Sequence, residues 1–287
     1  MTAPPGSTGG DPKHVCGRFT QERPVADLAD LFEAELLVED PGARFNVAPT
    51  DVVPVVVQHA GRRAITAYRW GLVPSWATDV RVGSRMINAR AETVGSSPSF
   101  RDSFRRRRCI VPADAFYEWE RAGGRARPFM IRRRDGRPLA FAGLWSSWHA
   151  PDVPVPLRTF TIVTTTPNEL IAPLHDRMPV VLPPERWSTW LDEGVTDLAL
   201  LRSMLVPAPA EELTLHAVGA LVNDVRNEGP ELAVPAPATP EGGADPATPA
   251  GNGRRARHDP GGRRPAGGET DGAPTLWSQP PDDGAAG

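Results

Sequence analysis

Six short runs of β-branched and aromatic residues, at 52–58, 64–70, 109–111, 129–132, 139–145 and 159–165, narrow the fold of this chain more than any other feature. They read as strands, and as strands of antiparallel sheets. Helical patterns are fewer. Residues 25–37 would place Leu28, Leu31, Phe32 and Leu36 on one face, and 184–191 form a shorter candidate. At Thr166-Pro167-Asn168-Glu169 a capping threonine precedes Pro at the first helical position, with an acid three residues on. A helix is expected to begin there and to deliver His175 at or just past its end. Neither a fixed-period repeat nor regular βαβ alternation is visible, which argues for one α+β domain rather than a doubly wound sheet.

Composition bounds that domain. From 231 to 287 the chain is dominated by Pro, Gly, Ala and small polar residues and reads as a disordered tail, while 1–15, rich in Pro, Gly, Ser and Thr, shows no sign of folding. Residues 16–230 remain, enough to bury a sizeable core. Two cysteines, Cys16 and Cys109, are not a disulfide framework in a chain of 287 residues. Without a bilayer-length apolar run or a secretory signal pattern, a soluble cytoplasmic protein is expected. The formal net charge is −3, and the tail, with five arginines and eight acids, carries all of it. Nucleic-acid binding by 16–230 must therefore come from a local patch such as Arg105 to Arg108 or Arg132 to Arg134, although charge runs are also ordinary solvated faces.

Several residues are equipped for chemistry. Were 1–15 absent, Cys16 would carry a free α-amine and a thiol. The amine, with a pKa near ~7.7–8.0, is roughly one-tenth neutral at pH 7. It can form an imine with an aldehyde, and the thiol can then close a five-membered thiazolidine. With a residue before it, Cys16 has an amide nitrogen and cannot react this way, and free cysteine is often just a small buried residue. Asn88 and Arg90 lie two apart, hence on one face if extended, so that an amide could meet a sugar oxygen and a guanidinium a phosphate; Arg90 pairing with Glu92 is the structural alternative. Glu118 sits among Phe116, Tyr117 and Trp119, where desolvation favours general acid–base use, unless it is an outward-facing strand residue. His175 has Asp176 and Arg177 beside it and is either a proton-transfer group or a hydrogen-bonded structural histidine. Trp70 and Trp76 bracket a turn, which could be core filler or a platform for unstacked bases; core filler is the safer reading for Trp70, and Trp76 is open. His14 and Cys16 have no second pair at zinc spacing, and no phosphate-binding glycine loop is found, so neither a metal nor another cofactor is expected.

Taken in order, Cys-Gly-Arg-Phe at 16–19, Arg-Phe-Asn-Val-Ala-Pro at 44–49, Trp-Gly-Leu-Val-Pro-Ser-Trp at 70–76 and Ile-Asn-Ala-Arg-Ala-Glu-Thr at 87–93 resemble the SRAP family of abasic-site processing proteins. So do Arg-Cys-Ile-Val-Pro-Ala at 108–113, Phe-Tyr-Glu-Trp at 116–119 and His-Asp-Arg-Met-Pro at 175–179. The resemblance implies a single α+β domain with barrel-like antiparallel sheets and peripheral helices. It also implies a sensor of abasic sites in single-stranded DNA that links the ring-opened sugar to an N-terminal cysteine, with no membrane partner, a monomeric state and nucleoid association when bound to damage; a partner of the tail is left open. Cys16 would be the nucleophile, Asn88 would orient it and the sugar, and Glu118 and His175 would transfer protons. Arg18, Arg90 and Arg177 would contact or organise the DNA backbone, with Trp70 and Trp76 near the displaced bases.

Family members begin Met-Cys, whereas Met1 to Val15 precede the cysteine here. One reading makes Val15 the true start, because a GTG codon initiates as methionine and the arginine bias, with Lys13 the single lysine, suggests a GC-rich genome. A second is self-cleavage before Cys16 by its own thiol. Alternatives to covalent capture are a cysteine peptidase and a non-covalent single-strand-binding module, the latter indifferent to the lesion and salt-dependent.

Overall fold

A computed structural model describes residues 16–122, 125–149 and 154–237; the expected extension 1–15 and the residues from 238 onward lie outside the described residues. The strands are β1 (Phe19–Gln21), β2 (Glu35–Leu36), β3 (Arg44–Val47), β4 (Val52–His59), β5 (Arg62–Trp70), β6 (Asn88–Arg90) and β7 (Arg108–Ala113). They continue with β8 (Ala115–Ala122), β9 (Arg125–Arg133), β10 (Leu139–Trp148), β11 (Leu157–Thr165), β12 (Met178–Pro179) and β13 (Leu213–Ala217). The helices are α1 (Val25–Phe32), α2 (Arg101–Arg106), α3 (Pro184–Leu191) and α4 (Leu198–Ser203). All six expected strands are present, in an α+β fold that is mostly β.

Five of the strands close on themselves. β4 pairs antiparallel with β5 and β7, β7 with β10 and β10 with β11, and β11 returns to β5 in parallel through Thr159 opposite Arg69 and Phe160 opposite Trp70. Alternation along each strand then sorts residues to two sides. Val53, Val55, Tyr68, Trp70, Cys109, Val111, Phe141, Phe160 and Ile162 fill the barrel interior. Val56, Ile65, Ile110, Ala142, Leu144 and Val163 face outward, where Leu28, Phe32, Trp187, Trp190 and Leu201 of the helices cover them. Each of the larger buried side chains contributes about 1.5–3 kcal/mol by leaving water.

A second antiparallel sheet, in the order β13-β9-β8-β1-β3, plugs one end of the barrel. Its Phe19, Phe116, Ile131 and Leu213 join the interior cluster. The Gln21 amide of β1 donates to the carbonyls of Pro54 at 3.0 Å and Pro112 at 2.7 Å, tying this sheet to β4 and β7. On the outer side, Arg108 ties α2 to α3. Its guanidinium donates to the carbonyls of Phe104 (2.9 Å), Trp190 (2.7 Å) and Val195 (3.3 Å), and to those of Arg105 and Asp192. Burial lowers its pKa to about 10 against the opposing pull of Asp192 and Glu193.

Three expectations are corrected. The first helix ends at Phe32 rather than near residue 37, because Glu33 turns into the left-handed region at φ 52° and residues 35–36 pair in parallel with β5 instead. No helix follows Thr166. Asn168 organises turns there, its side-chain oxygen accepting from the Ile171 N–H at 3.0 Å and its carbonyl from Ala172 at 2.9 Å. Pro173 explains the failure, since it disfavours helical geometry in the residue before it and has no N–H to donate. Finally, the fold runs past 230: Leu232 is buried, and Val218 bridges to Pro235. Among the described residues no helix is long and apolar enough to cross a membrane.

Candidate functional site

The plugged end of the barrel gathers the residues that the motifs single out. β8 runs with Phe116 and Glu118 on its inner face, and Glu118 is consequently a core carboxyl, 2 % exposed. Cys16, just before β1, is fully buried in the interior cluster, and its backbone N–H donates to Glu118 Oε1 at 2.7 Å. Cys16 adopts φ 47°, a left-handed conformation that favours glycine and costs other residues about 1–2 kcal/mol. Burial, reinforced by the nearby Glu118 charge, raises the Cys16 thiol well above its ordinary pKa. The thiol is therefore neutral at pH 7.

Asn88 and Arg90 occupy β6, which lies parallel to β11 with Asn88 opposite Ile162 and Arg90 opposite Thr164. Ile162 belongs to the same interior cluster as Cys16, so register puts the Asn88 side chain on that inner face. The approach of this segment is fixed by Trp70, whose indole N–H donates to the Ile87 carbonyl at 2.9 Å, and by Gly71. At φ 109°, with a would-be Cβ only 2.6 Å from the Gly83 carbonyl oxygen, Gly71 tolerates no side chain.

Arg177 locks onto the same strand edge. It donates to Thr164 Oγ1 (3.2 Å) and the Thr164 carbonyl (2.7 Å), and forks to Glu92 at 3.2 and 2.9 Å. Burial pushes Glu92 upward, but its hydrogen bonds with Arg177 outweigh that and hold it below the ordinary carboxylate range. Arg90 is exposed, and the carboxylate once available to it is taken by Arg177. His175 Nδ1 lies 3.2 Å from the Arg177 N–H and 2.8 Å from Asp176 Oδ1. Neutral at Nδ1 it accepts from Arg177; protonated there it donates to Asp176, so the ring's proton selects between the two.

Two placements differ from what the resemblance implies. Trp70 has no exposed surface and packs against Phe19, with ring centroids 5.0 Å apart, so it is core and not a platform for bases; Trp76, past the turn, is 61 % exposed. Arg18 is organised by protein rather than open to a ligand. Its guanidinium donates to Asn46 Oδ1 (2.7 Å) and to the carbonyls of Val222 (2.7 Å) and Asn223 (3.5 Å), and lies 6.0 Å from the Trp119 ring. Burial lowers its pKa, partly offset by Asp51, Asp224 and Tyr117. Residue-by-residue reading did not find Asn46, whose amide also donates to the carbonyls of Asp224 (3.0 Å) and Asn227 (2.9 Å), nor the strap around 222–227 that it holds. Nothing in the local sequence there signals it. Thr164 was likewise missed, being an ordinary strand threonine until β6 and Arg177 meet it.

Chemically, the site sets a buried carboxyl against the nitrogen of residue 16, keeps a neutral thiol on the same residue, and places guanidiniums at a neighbouring strand edge.

Comparison with known proteins agrees with this geometry. The sequence profile of the family described as SOS response associated peptidase (SRAP) matches residues 15–225. The chain is 40 % identical over 221 residues to the abasic site processing protein YoqW of Bacillus subtilis (strain 168), covering 76 % of this chain and 98 % of that protein. It is 31 % identical to the abasic site processing protein YedK of Escherichia coli (strain K12), covering 77 % and 100 %. A crystal structure of a Bacteroides thetaiotaomicron protein superimposes with a TM-score of 0.68 at 23 % identity, over 77 % of this chain and all of that one, a likeness of fold. With its motifs in order and its fold shared, the chain belongs to the SRAP family.

Proposed function

We propose that this protein processes abasic sites in DNA, capturing the ring-opened sugar of a single strand as a thiazolidine on Cys16. The observation that carries the reading is the 2.7 Å contact between the Cys16 nitrogen and the buried Glu118 carboxylate. Relatives named abasic site processing proteins support the substrate class.

In a chain that begins at Cys16, the neutral α-amine attacks the sugar aldehyde carbon. Glu118 shuttles protons so that the hydroxyl of the resulting carbinolamine leaves as water and an imine forms. The Cys16 sulfur then adds to the imine carbon while the thiol proton ends on nitrogen, closing the ring. One aldehyde and one aminothiol give one thiazolidine and one water. Asn88, on the inner face, orients the sugar, and His175 assists proton transfer at ring opening. Arg90 and Arg177 stand beside the phosphates, and exposed Trp76 meets a displaced base. Elimination from the imine before closure would cut the strand, giving a lyase side reaction.

The neutral thiol favours this route over a cysteine peptidase acting on other proteins, which depends on a resident thiolate. Self-cleavage is favoured by one specific feature: Glu118 sits on the nitrogen that would leave when the Val15–Cys16 bond breaks. The left-handed φ at Cys16 also ceases to be a strain once no residue precedes it.

The test is denaturing gel electrophoresis of abasic single-stranded DNA mixed with the 287-residue chain or with a chain starting Met-Cys at position 16. A heat-resistant adduct from the shorter chain, absent in its Cys16→Ser variant, is expected. No adduct from the shorter chain sinks covalent capture. An adduct from the longer chain without loss of 1–15, read by intact mass, sinks the free-amine mechanism. Loss of 1–15 that persists in Cys16→Ala rejects self-cleavage.

A further inference from the structure

The barrel end opposite Cys16 carries a group of arginines that the capture chemistry leaves unused. Interior positions at that end are Tyr68, Arg158 and Trp145, with Arg107 where the chain enters β7. Trp145 is half-buried and has two guanidiniums against its ring, that of Arg107 at 5.9 Å and that of Arg158 at 5.5 Å from the centroid. Tyr68 packs on the same indole with centroids 5.6 Å apart, and its hydroxyl accepts from Arg158 at 3.4 Å. Arg105 and Arg106, exposed at the end of α2, adjoin the group. Among the described residues none of these four arginines makes an ion pair, whereas Arg23, Arg44, Arg62, Arg81, Arg133 and Arg226 each hold a carboxylate within 3.0 Å.

That contrast has a physical meaning. A guanidinium held within cation–π range of an indole keeps N–H donors for a phosphate oxygen pair, which its planar fork matches better than a lysine would. With no carboxylate to neutralise it, the cluster keeps its positive charge for an incoming polyanion. From Arg158 to Thr164, beside the capture site, β11 advances six residues, which at ~3.3 Å each is about 20 Å. A strand bound at both places must extend several nucleotides from the lesion.

We infer that Arg105, Arg106, Arg107 and Arg158, ordered around Trp145, form a second phosphate-binding surface that holds the undamaged flank of the single strand whose lesion lies at Cys16. This rests on the reading of the protein as a single-strand DNA binder. It assigns the arginine run at 105–107 to affinity and strand-length preference, leaving capture chemistry to the other end.

The test measures binding of abasic single strands of about 7 and about 25 nucleotides, within and beyond the span of one compact site, across a salt series. The native chain should bind the longer strand about tenfold more tightly. R107Q/R158Q should erase that gain and reduce the salt slope for the long strand by about 1.4, two phosphates at ~0.7 each. Adduct yield with the short strand at saturation should be unaltered. The inference is overturned if R107Q/R158Q, folded by its unfolding temperature, keeps both the length gain and the slope. Should that variant not fold, R105Q/R106Q, confined to exposed side chains, decides by the same criteria. Failure of the chain starting Met-Cys at position 16 to form any adduct refutes covalent capture alone, because length gain and salt slope are still read from binding.

Discussion

The two ends of the barrel handle charge in opposite ways. At the plugged end Glu118 is buried against the Cys16 nitrogen, Arg18 is enclosed by Asn46 and the strap carbonyls, and Arg177 is forked to Glu92. At the other end Arg107 and Arg158 rest on Trp145 with no carboxylate opposite them. Chemistry on a defined atom requires groups held at fixed distance in low dielectric, and such groups must be matched because an isolated buried charge is expensive. Attraction of a flexible polyanion requires the reverse, cations left uncompensated near water. On the two proposals above, a single barrel separates reaction from affinity by matching its charges at one end and leaving arginines without a carboxylate at the other.

Substituting the tryptophan of each end breaks the comparison most forcefully. Trp70→Ala removes a fully buried ring and the hydrogen bond to Ile87, and should cost about 3–5 kcal/mol in denaturant unfolding. Trp145→Ala, half-buried, should cost about 1–2 kcal/mol, the scale of two cation–π contacts, while weakening long-strand binding. Equal losses from the two would show that both ends are simply core.

Glu118→Gln sharpens the chemical side. It keeps the shape and a polar contact but removes proton transfer, so adduct formation and reversal should both slow about 100-fold, with DNA affinity little changed. Unaltered rates in both directions would discard the role.

The smallest effect lies in alkaline stability. The Cys16 and Cys109 thiols are both raised by burial, so the folded chain retains protons that the unfolded chain releases above the ordinary thiol pKa of ~8.5. Stability is therefore full below that pH and falls as pH rises through it, by at most about 1.4 kcal/mol per pH unit for each thiol. Cys109→Ala should flatten the fall between about pH 8.5 and 9.5, below the tyrosine range. An unchanged slope would mean that Cys109 titrates freely in the folded barrel.

Much of this was legible along the chain. The strand at 159–165 and the helix at 184–191 reappear because period-two and helical patterns are local properties of side chains. Its motifs also pointed to Glu118, since a carboxyl amid Phe116, Tyr117 and Trp119 is conspicuous. The closing of the barrel was not legible, because β11 meets β5 in parallel across some ninety residues and no turn joins them. The capping signal at Thr166 pointed to a helix that Pro173, seven residues on, disfavours. Trp70 and Trp76 looked alike in sequence, yet one anchors β6 and the other reaches solvent.

By itself the sequence determined which groups are available: an aminothiol-bearing residue if the chain begins at Cys16, a carboxyl among aromatics, and arginines in place of lysines. Only the tertiary structure decided which of those groups are buried, matched or left charged. The Cys16–Glu118 contact spans 102 residues and the Arg18–Val222 contact 204. Partners that distant are selected by how the sheets close and pack, and no local residue preference encodes them.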